Sequence, residues 1–148
     1  MEKQRVILFL NRLLANYFVV YTKLYRYQWF AKGPHVITLK QVFASFQRKW
    51  QEDLEKIAQH ILYLDGKPFA TMVKFIKEAS LEEAEADDLE EEMFSQLSKD
   101  LRQINREIKE EGIPLAEKNN DLLTTFFLLQ LQLNMSELLN KFHDVSFE

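Results

Sequence analysis

Apolar residues return every three or four positions along most of this chain, which is the period of a helix packed on one face. In the first thirty residues Ile7, Leu10, Leu14, Tyr17, Tyr21, Leu24 and Gln28 keep that spacing. Val42, Phe46, Trp50, Leu54, Ile57, Ile61 and Leu64 mark a second helix. Leu89, Met93, Leu97, Leu101, Ile104 and Ile108 carry a third toward Gly112. A fourth runs from about Lys118 to Phe142 on Leu122, Phe126, Leu129, Leu133 and Leu138. Between the second and third, Phe69, Met72, Val73, Phe75 and Ile76 read as a small connecting helix.

The helix breakers agree with this division. The three glycines and three prolines fall only at Gly33-Pro34, Gly66-Lys67-Pro68 and Gly112-Ile113-Pro114. They leave breaker-free segments 1–32, 35–65, 69–111 and 115–148. The spacing predicts an all-α, four-helix bundle with an extra short helix, built as one domain over residues 1–148. Thr38 with Gln41 three residues on fits a capping box at the start of the second helix. Gly66 suits a left-handed cap at its end.

Composition narrows the class. With no cysteine there is neither a disulfide nor thiol chemistry. The longest uncharged runs, Leu13–Thr22 and Leu122–Ser136, fall short of the roughly 18 apolar residues a membrane span needs. The charged start Met1-Glu2-Lys3-Gln4-Arg5 lacks a following cleavage pattern, so a cytoplasmic protein is expected. Net charge is −4, but residues 1–78 carry +7 and residues 79–148 carry −11. The basic residues are interspersed along amphipathic segments, as on a solvated helix surface. The first helix is rich in aromatics, including Phe18, Tyr21, Tyr25, Trp29 and Phe30, a load that fits either a thick core or an oligomer contact.

Residues 82–92 hold eight acids. They lack the glycine of a calcium-binding loop, and acids at a helix start are favoured by its dipole. The histidines His35, His60 and His143 lie too far apart for a zinc-type pair. No glycine-rich phosphate loop is present.

The run Tyr27-Gln28-Trp29-Phe30-Ala31-Lys32-Gly33-Pro34-His35 with Thr38-Leu39-Lys40 resembles the signature of the Dps family of mini-ferritins. So do Ile57-Ala58-Gln59-His60-Ile61-Leu62 leading into Gly66-Lys67-Pro68, and Asp121-x-x-Thr124 at the last helix. The resemblance implies a ferritin-like bundle that assembles as a homo-oligomer, a dodecameric shell built from two-fold dimers. It also implies oxidation and storage of iron and, in some members, binding of DNA. In such proteins the ferroxidase site spans the two-fold interface: one subunit gives two histidines, its mate an Asp and a Glu one turn apart.

Carried over residue by residue, those positions are Gln28, Lys40, Glu55 and Gln59. Only Glu55 keeps an anionic oxygen, so it alone stands as a weak metal candidate. An amide is a poor iron ligand and a lysine ammonium offers no acceptor. Like charges roughly 4 Å apart cost about 4 kcal/mol at an effective dielectric of 20, so Lys40 would repel a ferrous ion. The expectation is therefore a salt bridge between Lys40 and the neighbouring subunit's Glu55 where the metal would sit, with Gln28 and Gln59 exchanging amide bonds nearby. The pore that family members line with carboxylates keeps Asp121 but has Phe126 at the next acidic position.

These substitutions favour a shell-forming stress and iron-homeostasis protein that has lost its ferroxidase ligands, with no cofactor expected and iron at most weakly held. One alternative is an active iron-oxidising mini-ferritin using displaced carboxylates such as Glu52 with Glu55. Another is a DNA-binding protective protein without iron function, although only Lys3 and Arg5 stand where such members carry a basic tail.

Overall fold

The computed structural model describes residues 2–84 and 89–144 of the 148. Helix α1 spans Glu2–Phe30, α2 Val36–Tyr63, α3 Met72–Glu78, α4 Glu90–Glu107, α5 Ile113–Lys118 and α6 Leu122–Asp144, with a π-helical turn at Ile108–Gly112 joining α4 to α5. The long helices α1, α2, α4–α5 and α6 make the bundle, and α3 lies in the crossover between α2 and α4. Because α1 opens at Glu2, Lys3 and Arg5 are already helical. Of the acidic run, Glu85, Asp87 and Asp88 lie outside the described residues.

The first three apolar stripes form most of the core, whereas the stripe read for the last helix faces outward except at Leu138, and α6 buries Thr124, Leu128, Leu131 and Met135 instead. Leu10, Leu14, Leu24, Phe43, Trp50, Ile57, Ile61, Met93, Leu97, Leu101, Ile104 and Met135 are wholly or almost wholly buried. Tyr17 stacks on Trp50 with ring centroids 3.9 Å apart, and the Trp50 indole N–H donates to the Tyr17 carbonyl at 2.8 Å, locking α1 to α2. Leu122–Lys141 of α6 has the length and apolar content of a membrane span. Here its Thr124, Leu128, Leu131, Met135 and Leu138 are packed into the bundle, and Gln130, Gln132 and Asn134 interrupt the rest.

Three boundaries differ from the sequence reading. The second helix begins three residues earlier than a Thr38 cap would allow, with His35 at the cap position and no side-chain capping bond. At its end the left-handed residue is Asp65 (φ 64°), not Gly66. Gly66 is required by proximity instead: an added Cβ would come within 2.8 Å of the Ile7 side chain.

The largest difference lies at Gly112-Ile113-Pro114, which does not cut the helix. The Ile113 N–H bonds the Ile108 carbonyl, a five-residue step that widens the turn. A proline ring inside a regular α-helix strikes the carbonyl four residues back, and a wider turn relieves that clash. Gly112 is buried against the Phe9 ring, with no room for a Cβ. The true stop comes later, at Asn119-Asn120-Asp121. Asn120 takes a left-handed conformation (φ 53°), which asparagine tolerates at helix ends, and the Asp121 N–H reaches back to the Ala116 carbonyl at 2.9 Å.

Two buried asparagines hold the crossover onto α1. Asn11 donates to the Lys67 carbonyl (3.0 Å) and accepts from the Phe69 N–H (2.8 Å). Asn16 accepts from the N–H groups of Ser80 and Leu81 (2.9 and 3.2 Å) and donates to Ser80 Oγ and Glu107 Oε1. Buried asparagines are tolerated when their amides are satisfied in this way.

Candidate functional site

Gln28 stands in the last full turn of α1, facing α2. Both of its amide hydrogens are committed within the subunit, one to the Leu24 carbonyl (3.0 Å) and one to Gln47 Oε1 (2.8 Å). The buried Gln47 in turn donates to the Tyr21 carbonyl at 3.0 Å. This amide chain was not legible in the sequence, where Gln47 lies in the apolar stripe's margin with no motif around it. It leaves Gln28 with an internal hydrogen-bonding role.

Lys40, Glu55 and Gln59 all lie on α2 and are exposed. Lys40 and Glu55 are fifteen residues apart, which puts them about 22 Å apart along the helix axis. Within one subunit they do not meet. Glu55 and Gln59 are one turn apart and share a face. Next to Glu55, Tyr21 has its phenol pKa pushed up to about 12, first by its hydrogen bond to Tyr25, then by partial burial and the negative charges nearby.

The two other acids of this stretch part company. Glu52 is exposed, whereas Asp53 is buried and takes both of its carboxylate bonds from the Asn134 amide at 3.1 and 3.2 Å. Burial raises the Asp53 pKa, and the Asn134 amide and the lysines Lys56 and Lys49 pull it partly back. A second buried acid, Asp100, pairs with the buried Lys23 at 2.8 Å on the α1–α4 side. Desolvation lifts its pKa in spite of that partner.

At the start of α6, Asp121 is a capping residue. Its carboxylate accepts from the Thr124 N–H (3.0 Å) and from the Thr124 hydroxyl. Because that hydroxyl proton goes to Asp121, the contact from His60 Nε2 at 2.8 Å is a donation by the imidazole. His60 also stacks on Phe127 with centroids 4.6 Å apart. Burial lowers its pKa, and the Asp121 charge opposes that shift. Phe126 points outward and is 67% exposed, on an α6 face with Leu122, Leu129 and Leu133.

Residues 7–144 match the ferritin-like domain. The DNA protection during starvation protein 2 of Bacillus anthracis is 34% identical over 129 residues, which is 87% of each chain. The chain belongs to the Dps family of ferritin-like proteins. General stress protein 20U of Bacillus subtilis is 31% identical over 134 residues, covering 90% of this chain and 92% of its own. The crystal structure of a Dps protein from Bacillus brevis superimposes with a TM-score of 0.90 at 26% identity, over 97% of this chain and 95% of that one. In this Dps-type fold the Gln28 end of α1 and the Lys40 end of α2 are adjacent through the turn at 31–35, while Glu55 and Gln59 lie toward the other end of α2. Among the described residues, no three His, Asp or Glu side chains converge as a metal-binding group.

Proposed function

We propose that this chain is a shell-forming, protective Dps-type protein whose inter-subunit ferroxidase centre has been replaced by a polar and ionic contact. The observation that carries the reading is the state of Gln28. Its N–H groups are consumed by Leu24 and Gln47, so it braces α1 against α2. Lys40 and Glu55 support it: exposed, of opposite charge and about 22 Å apart on one helix, they can pair only with another copy. A two-fold arrangement with antiparallel α2 helices brings Lys40 of each subunit to Glu55 of the other. The outward apolar row of α6 supports further assembly, and its Phe126 removes the negative field that draws cations into a pore.

The residues present do not fit a diiron centre, because one carboxylate, two amides and an ammonium lack the anionic oxygens and imidazoles iron prefers. The test is oxidation of ferrous iron by hydrogen peroxide or air with the purified protein. A rate equal to that of buffer is expected. Fast oxidation, or stoichiometric iron seen by anomalous scattering beside Gln28, Lys40, Glu55 and Gln59, overturns the reading.

A second reading is contact with nucleic acid; the Bacillus anthracis relative is named for DNA protection during starvation. It is favoured by four exposed cations on one face of α4 and the π-turn, Lys99, Arg102, Arg106 and Lys109. Phosphate contacts need only such side chains and weaken steeply with salt. Retardation of plasmid DNA at low ionic strength that vanishes as salt rises supports this role, and no retardation at low salt ends it.

A further inference from the structure

A cleft of about 840 Å³ lies where the first half of α1 meets the end of α3, the π-turn and α5. Clefts of that size hold small ligands or short peptides. Because α1 packs between α2 and α4, a contact between copies through α2 leaves this cleft open. Phe9 of α1 lies against Gly112, and Asn16 donates to Glu107, so α1 runs antiparallel to the α4–α5 segment. Glu110 and Glu111 therefore stand level with about residues 10–12 of α1, and Arg5 lies about 8–10 Å further along the axis. Between these charges the floor is apolar, made by Leu8, Phe9 and Leu115.

The lining carries cations and acids in equal number, which disfavours a simple anion or a simple cation as occupant. Several of these charges are already committed. Arg12 pairs with Glu78 at 3.4 Å, and Glu107 accepts from Ser80, Asn16 and Gln103. Arg5, Lys77, Glu110 and Glu111 are exposed and form no ion pair among the described residues. Lys77 sits at the Ser80 end, beyond the acids, while Arg5 faces them across the apolar floor. The acids belong to the π-turn, a kind of distortion that recurs at functional sites.

We propose that this cleft binds a short zwitterionic peptide in extended form. The peptide's terminal carboxylate rests on the Arg5 guanidinium, whose planar fork suits a carboxylate. Its terminal ammonium lies between Glu110 and Glu111, and an apolar side chain covers Leu8 and Leu115. Length selects the class of ligand. An extended chain advances about 3.3–3.6 Å per residue, so a span of about 8–10 Å takes three residues. A free amino acid, whose charges sit on one residue, cannot reach both ends. A peptide blocked at either terminus loses one of the two ionic contacts. Binding here is independent of iron and of nucleic acid.

Isothermal titration of the full chain with the tripeptide Ala-Leu-Ala tests the site. Saturable binding is expected, with one peptide per subunit. The N-acetylated and the C-amidated forms of that peptide, each lacking one terminal charge, bind about fivefold more weakly. Arg5→Gln weakens the free peptide by a similar factor and leaves the amidated form unaffected. Glu110→Gln combined with Glu111→Gln weakens the free peptide and leaves the acetylated form unaffected. Glu137→Gln, on α6 and outside the cleft, changes none of these affinities. Circular dichroism establishes that each variant is folded. Absence of saturable binding, equal affinity for the blocked peptides, or an Arg5→Gln protein that binds as the parent does overturns the site.

Discussion

His60 shows how a single side chain ties two helices together and makes the tie sensitive to pH. It is held against Phe127 and donates to Thr124, which caps α6 through Asp121. Burial lowers its folded pKa, so the folded state favours the neutral ring. Its contribution to stability is whole above the unfolded value of about 6.5 and is lost as pH falls from there through the folded value. Each unit of separation between the two values is worth about 1.4 kcal/mol. His60→Gln keeps an N–H donor without titrating. Thermal unfolding between pH 7 and 5 is therefore expected to fall more steeply for the parent protein than for the variant, and equal slopes would count against the linkage. Asp53 and Asp100, with raised pKa values, change stability in the opposite sense, and both remain in each protein.

At the scale of elements, the periodic apolar stripes carried the helices: the first three stripes are largely buried, because burial of a face is what makes a helix persist, but α6 is apolar on both sides and the stripe read for it is the outward one. The boundaries were harder to see. Proline and glycine mark breaks only when the backbone has no other way to accommodate them, and at Gly112-Pro114 a π-turn is that other way. The real stop, Asn119-Asn120, uses a residue that tolerates the left-handed region without announcing it. The staples Asn11 and Asn16 and the bridge Gln47 were also hidden, since a buried amide looks like any polar residue until its partners are placed. The tight seat of Gly112 against Phe9 gives a direct measurement. Gly112→Ala is expected to lower stability by about 1–3 kcal/mol by overpacking, seen as an earlier denaturant midpoint. Combining it with Phe9→Leu recovers part of that loss; no recovery would place the strain elsewhere.

Taken as a whole molecule, the candidate site was legible as chemistry and illegible as geometry. Gln28, Lys40 and Gln59, at the positions where the family resemblance implies ligands, can be read directly from the chain. That Lys40 and Glu55 do not meet within one subunit follows only from the length of an unbroken α2. If they pair across a two-fold interface and are buried there, removing one charge costs about 3–5 kcal/mol. Lys40→Ala is then expected to raise the dimer dissociation constant strongly in sedimentation measurements. Lys40→Glu with Glu55→Lys restores association. An unchanged dissociation constant for Lys40→Ala would refute the pairing.

The widened turn ahead of Pro114 also bears on how the gene can change. A π-turn amounts to one surplus residue in an α-helical frame. Losing a single codon among 109–111 would let the coil close up while restoring the collision between the pyrrolidine ring and the backbone behind it. Replacing Pro114 alone would leave the surplus residue without its reason. Surplus residue and imino acid are thus coupled in this helix, and removing either one alone is expected to leave a defect.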